Sequence, residues 1–413
     1  MSSSPPVATS EPDAELRDFT LWLLAALGCP YECIDGAIVA ETVPASLHAK
    51  FGGTAPLRLT LSVADPSDTA YPVTLDSPIV RALVDEVKAK QIIGRAAPAH
   101  QPESVRDLSQ RLFDEYSVDG GSVHLGGCLL EDRAILRVTY VDRSGASGTK
   151  MQLRHHFVSL IGEPIDASLV DSLGLKQLVP LTRSIRVSDD QRDRWRQVGE
   201  SAIECLEQAD KCKFLLTTAV WCKYAEGKLA FVIGDATTSI PFSGWAQRFV
   251  DGSERPPVLT CPSYPQGSRH LAATDDGNIV PFEAIGVCSE SGKRVLAADL
   301  ETCRATGAKA LPEFFVICPA SGVRTLRSAL VTCETCQQSV SPTARDAKQC
   351  TACRSLAKVS KDDPRMARLL GEYPELDHWP RWKLAETAAA YVLVANSLVK
   401  RLLIVVDKND LEV

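Results

Sequence analysis

No stretch of this sequence reads as a leader or a membrane span. Met1 to Pro12 is rich in Ser and Pro and has neither a basic start nor an apolar core. Residues 1–12 are therefore expected to form a disordered lead rather than a signal peptide. The longest apolar run, Ala388 to Val399, is interrupted by Asn396 and Ser397 and followed by Lys400 and Arg401, which makes it too short to cross a bilayer. Positive charge is also scarce. With 45 Lys and Arg against 52 Asp and Glu, the net charge is −7, and the overall basic footprint of a nucleic-acid-binding chain is missing.

Enzyme signatures are missing as well. There is no His-Glu-x-x-His, no Gly-x-Ser-x-Gly, and no Gly-x-Gly-x-x-Gly after a strand. Gly286 to Lys293 approaches a phosphate loop, but its spacing is one residue too long and Arg294 stands where Ser or Thr is required. The deaminase pattern, His or Cys near Glu followed by Pro-Cys-x-x-Cys, is absent. No catalytic residue is assigned.

Cysteine, by contrast, is plentiful. The chain has 14, and half of them lie between Cys288 and Cys353. In a chain of 413 residues without secretion features this usage points to metal rather than to disulfides, and to a reducing cytoplasm. Cys288, Cys303, Cys318 and Cys333 fall fifteen residues apart. Each of the first three opens the same pattern: Ser or Thr three residues on (Ser291, Thr306, Ser321), then Gly (Gly292, Gly307, Gly322), a cation (Arg294, Lys309, Arg324), Leu (Leu296, Leu311, Leu326) and a large apolar residue (Leu300, Phe315, Leu330). Such a repeat marks one small unit, a turn between two short strands, that buries its apolar face only by stacking on its neighbours. The Gly supplies the positive φ of a tight turn.

In the fourth copy Cys336 replaces the hydroxyl. Cys333-x-x-Cys336 is then answered by Cys350-x-x-Cys353, and two such pairs give the four thiolates of a tetrahedral structural Zn²⁺ site. A four-thiolate site is closed and leaves no position for a reactive water, so this metal is structural. For Cys288, Cys303 and Cys318 two readings stand open. One is a second metal site completed by Cys261 or His270. The other is a set of buried thiols packing as small hydrophobes. From Val287 to Arg365, twelve Lys and Arg against eight Asp and Glu give a local +4, read as a solvated face.

The expected fold class is α+β: N-terminal α+β units with antiparallel sheets, a tandem β-hairpin and zinc-ribbon array, and a small C-terminal β-meander. The first unit, 13–93, opens with a helix over Asp13 to Leu27 stopped by Gly28. A hairpin turning at Asp35-Gly36, a strand over Leu57 to Val63, and a helix capped by Ser77-Pro78 follow. The second, 103–255, has a helix from Ser104 to Tyr116 and strands over Ser122–Leu130, Ala134–Asp142 and Gln152–Leu160. It continues with a long helix from the capping box Ser188-x-x-Gln191 to about Asp210. His155 and His156 are adjacent on a strand, face opposite ways and do not share a metal. Arg255-Pro256-Pro257 marks a boundary before the array, 261–360, and the meander, 361–413, whose Trp379 and Trp382 cover the end of a small domain.

Cys333 to Cys353 resembles the zinc ribbons of many nucleic-acid and helicase-associated proteins. The segments Val43-Pro44, Leu57-Arg58-Leu59-Thr60-Leu61 and Leu75-Asp76-Ser77-Pro78-Ile79-Val80, with the Cys288-x-x-Ser-Gly-Lys-Arg array, resemble the accessory region that follows the motor in bacterial Swi/Snf-type helicases. No motor is present, so ATPase activity does not carry over. The resemblance implies a non-catalytic, zinc-binding accessory subunit or adaptor that docks on a protein partner such as a helicase-type motor, or on nucleic acid, and not on a membrane. An enzyme of another type with a pocket in the N-terminal domains, or a purely structural assembly component, are the alternatives.

Overall fold

The structure is a computed structural model that describes residues 12–51, 56–60, 70–90, 92, 96–143, 151–181, 183, 185–206 and 209–413. Most of the expected lead 1–12 and the end of the Leu57–Val63 strand lie outside the described residues. The fold is α+β, and the chain divides into two compact units. One comprises Met1–Glu115, His124–Leu229 and Ser239–Pro257; the other comprises Tyr116–Val123, Ala230–Thr238 and Val258–Val413.

In the first unit, helix α1 (Pro12–Ala26) precedes Gly28, which adopts φ +73°. The hairpin Tyr31–Ile34/Ala37–Ala40 turns at Asp35 and Gly36, both at positive φ, as an Asp-Gly pair favours. Helix α2 (Ala45–Lys50) follows, and then α3 (Pro78–Ala89), whose first turn is capped by Ser77 accepting from the Val80 N–H. Phe19, Trp22 and Leu23 of α1 pack with Leu59 and with Val80, Leu83 and Val87 of α3. Leu153 and Leu216 of a second sheet join the same core, so the 13–93 and 103–255 stretches share apolar side chains.

That second sheet runs in the order 152–158, 121–142, 212–233, 96–98, 178–180, with 236–245 paired to 212–233. Around it lie α4 (Val105–Asp114), α5 (Ala167–Ser172), α6 (Asp189–Glu204) and α7 (Ala246–Asp251). The two strands expected at Ser122–Leu130 and Ala134–Asp142 are one strand, Gly121–Asp142. Glu131, Asp132 and Arg133, which fall between the two expected strands, are neutralised in place. Asp132 pairs with Arg183 and Lys223, and Arg133 lies between Glu131 and Glu226. The sheets are not purely antiparallel either: Arg58 to Thr60 pair in parallel with Ala70 to Pro72, and Val220 with Ala96. Helix α6 ends at Glu204, short of the expected Asp210.

Residues opposite one another on the 121–142 and 152–158 strands share a face. Arg137 and Thr139 face α1 beside Phe157 and His155, and Leu136 and Val138 face α6. Arg137 is buried over the Trp22 ring, and its Nε and Nη2 find no partner. Burial draws its guanidinium down to about 10. His155 Nδ1 lies 3.0 Å from Thr139 Oγ1, and burial, then the charge of Arg137, push its imidazole down to about 3.

The second unit begins with a three-stranded sheet of 279–281, 270–273 and 117–118. The array follows, and then α8 (Thr351–Arg354). A four-stranded meander of 357–359, 381–386, 390–396 and 401–407 ends the unit and packs against α9 (Pro364–Glu372). Trp382 is buried there and donates its indole N–H to the Leu376 carbonyl at 3.1 Å, a pinning role. Among the described residues no helix is long and apolar enough to cross a membrane.

Candidate metal centre

The fifteen-residue period is a ladder of two-stranded hairpins joined by single 3₁₀ turns. Hairpins pair 285–287 with 294–296, 301–302 with 309–310, 315–317 with 324–326, and 331–332 with 339–340. The 3₁₀ turns fall at 282–284, 297–299, 312–314, 327–329 and 342–344. Gly292, Gly307 and Gly322 sit at φ between +71° and +75°. In the fourth copy Gln337 takes the same left-handed conformation, held by its N–H donating to the Cys333 carbonyl at 2.8 Å. The turn at 282–284 reveals one more copy upstream. Gly277 lies fifteen residues before Gly292 at φ +86°, and Ile285 fifteen before Leu300. Reading from the cysteines misses it because it has none; the Gly and apolar positions alone carried the signal.

Each cysteine in the ladder is buried and reaches forward into the next unit. Cys288 Sγ accepts the Leu311 N–H at 3.5 Å, Cys318 Sγ accepts that of Ser341 at 3.2 Å, and Cys333 Sγ accepts that of Cys350 at 3.3 Å. Cys303 does the same with Leu326. The donor is the residue that begins the following helical turn. Ser341 therefore stands toward Cys318 as Cys350 stands toward Cys333. The same sulfur-to-N–H contact is repeated down the ladder, and among the described residues only the last copy gathers four sulfurs.

There the four Sγ atoms of Cys333, Cys336, Cys350 and Cys353 lie within 4.8 Å of one another, all buried. Cys336 Sγ and Cys350 Sγ are 3.9 Å apart. A disulfide needs about 2.05 Å, whereas four sulfurs at about 2.3 Å from a tetrahedral ion stand roughly 3.8 Å apart. The residues thus fit a tetrahedrally bound metal ion. Local structure holds them in place. Cys350 caps α8 by accepting the Cys353 N–H at 3.4 Å, and Ala347 at φ +52° turns the hairpin that brings Cys350 back. Gln349 donates to Thr335 Oγ1 at 3.0 Å, and Lys348 pairs with Glu334 at 3.2 Å.

The thiols are electrostatically unlike one another. Cys336 is drawn down to about 5, first by the hydrogen bond from Cys353, against the penalty of burial. Its donor Cys353 is pushed far up by that same bond. Burial raises Cys333, but the N–H groups of Cys336, Cys350 and Thr335 outweigh it. Sulfurs this close cannot all carry charge in a dry interior unaided; a divalent cation makes four thiolates compatible.

The structure does not bring the other named residues together. Cys288, Cys303 and Cys318 are buried one per hairpin, and Cys261 lies by Ser263 Oγ at 3.3 Å. His270 stacks face to face on Phe282 with centroids 4.2 Å apart. Among the described residues no second group of three ligands converges. Hydrogen bonds do the work of metal in these units. Cys288 is held at about 7 because the Ser291 hydroxyl and the N–H groups of Leu311, Ser291 and Glu290 outweigh its burial. Thr306 and Ser321 act alike on Cys303 and Cys318, both lowered against the burial that opposes it. Cys303→Ser should therefore leave the metal content per chain unchanged by elemental analysis. It should cost on the order of 1–3 kcal/mol of stability through a misfitted buried acceptor. A fall in metal content would instead restore the second site. Comparison with family models, with curated proteins and with solved structures finds no match to this chain.

Proposed function

We propose that this protein is a non-catalytic, metal-stabilised adaptor, an accessory subunit of a nucleic-acid-linked complex, with Zn²⁺ held by Cys333, Cys336, Cys350 and Cys353. The observation that carries the reading is the closed set of four buried sulfurs within 4.8 Å, which offers a metal no open position for substrate or water. Three successive hairpins support a binding role by presenting the same outward pair, an apolar or hydroxyl residue opposite a cation: Val287 with Arg294, Thr302 with Lys309, Ile317 with Arg324. Val287 is 59% exposed and Ile317 68%, large values for such side chains. All 14 cysteines are free thiols, which suits a reducing cytoplasm.

The purified chain should bind DNA or RNA with a salt-dependent affinity, or hold a stable protein partner through the hairpin face. Fluorescence anisotropy across a salt series, beside pull-down with wild-type and Ile317→Glu chains, measures both. Absence of a partner together with absence of salt-sensitive binding would sink the reading.

A further inference from the structure

The first compact unit contains a cavity of about 440 Å³, inside the range of roughly 300–1,000 Å³ typical of small-ligand sites. Three of the chain's six tryptophans line it: Trp195 of α6, Trp221 of the central strand and Trp245 at the end of the 236–245 strand. Their rings are fixed before any ligand arrives. Trp195 and Trp221 meet edge to face with centroids 6.0 Å apart, and Trp245 stands edge-on to Tyr224 at 5.4 Å. The Arg133 guanidinium lies 3.5 Å from the centroid of the Tyr224 ring.

Three polar side chains, Ser159, Gln191 and Asp132, line the same cavity. The Ser159 oxygen accepts the N–H groups of Ile161 and Glu163, so its own proton is free to be given. Gln191, which also lines the cavity, accepts the Ser188 N–H through Oε1 at 3.0 Å, which leaves its amide NH₂ as a donor. Asp132 supplies an acceptor. Charge then decides what the cavity takes. Asp132 is matched by Arg183 and Lys223, and Arg133 by Glu131 and Glu226, so three cations face three carboxylates. A quaternary ammonium ion wants an aromatic cage with net negative surroundings; this wall is balanced. We propose that the cavity binds an uncharged planar heteroaromatic ring carrying adjacent hydrogen-bond donors and acceptors, the chemistry of a purine or pyrimidine base. The ring packs on the indoles and its edge is read by Ser159, Gln191 and Asp132. This inference does not rest on the metal site or on the adaptor reading.

Isothermal titration of the full chain with adenosine, guanosine, cytidine and uridine tests it, with tetramethylammonium as the cation probe. At least one nucleoside, or a short homo-oligonucleotide of one base, should bind saturably with Kd below about 1 mM. Trp245→Ala should weaken that binding at least about tenfold, since ring stacking supplies that much or more. Gln191→Glu keeps the oxygen that caps α6 but removes the amide donor, so it should weaken binding about tenfold with an unchanged circular dichroism spectrum. Short single-stranded homo-oligonucleotides of the four bases separate the sources. Binding of the free nucleoside marks a small-molecule site. Binding of the strand alone, lost in both variants, marks a base presented by nucleic acid. Failure of every nucleoside and oligonucleotide, preference for tetramethylammonium, or wild-type affinity in Gln191→Glu overturns the proposal.

Discussion

A Cys336→Ser chain should lose its metal and, with it, the order of residues 331–356. Structural thiolate sites bind zinc with apparent free energies of about 10–16 kcal/mol at neutral pH, and in so small a ribbon that binding is the folding energy. The segment has little else to stand on: its strands are two residues long, and half of its buried side chains are the ligands themselves. The damage should spread in a defined direction. Cys318 takes its hydrogen bond from Ser341, and the sulfurs pack in one cluster with Ala385 and Val392 of the meander. The hairpin at 315–326 and the inner face of the 381–396 strands should therefore loosen next. Hydrogen exchange with elemental analysis measures both, and Cys33→Ser, at an exposed thiol, is the control that keeps its metal. Wild-type protein that carries no metal yet protects 331–356 would refute the expectation, as would a Cys336→Ser chain with full metal content.

Acid should destabilise the first unit well above the range where carboxylates titrate. His155 is folded with its pKa at about 3, against about 6.5 in an unfolded chain. A depressed value means the folded form refuses a proton that the unfolded form accepts. The stabilising contribution is whole above pH 6.5 and is lost as pH falls toward 3. The loss is about 1.4 kcal/mol per unit, or about 2 kcal/mol at pH 5. His156, on the opposite face and half-buried, is lowered by burial too and adds in the same direction. Asp107 and Asp166 of the same unit are held low by their hydrogen bonds and act only at still lower pH. Urea unfolding at pH 7, 6 and 5 should show the slope, and His155→Gln should remove most of it. Arg137→Met should relieve part of the depression, because the guanidinium charge is its second cause, and it sacrifices no hydrogen bond at Nε or Nη2. Equal slopes in wild type and His155→Gln would exclude His155 as the source.

Spacing alone determined a good deal of this protein. Two Cys-x-x-Cys pairs name their own ligands, because tetrahedral metal chemistry permits few arrangements of four thiols. Caps and turns such as Ser188-x-x-Gln191 and Asp35-Gly36 were likewise legible, since their hydrogen bonds reach only a few residues. Tertiary structure decided whatever depended on residues distant in sequence. It showed that Glu131 to Arg133 continue a strand, because their neutralising partners, Arg183, Lys223 and Glu226, come from elsewhere in the chain. It showed that Cys288, Cys303 and Cys318 are hydrogen-bonded hubs and not a second cluster, because each sulfur is answered by an N–H of the following unit. It also gathered Trp195, Trp221 and Trp245 around one cavity. Local geometry is written in intervals along a chain, whereas burial and charge balance exist only once the chain has closed on itself.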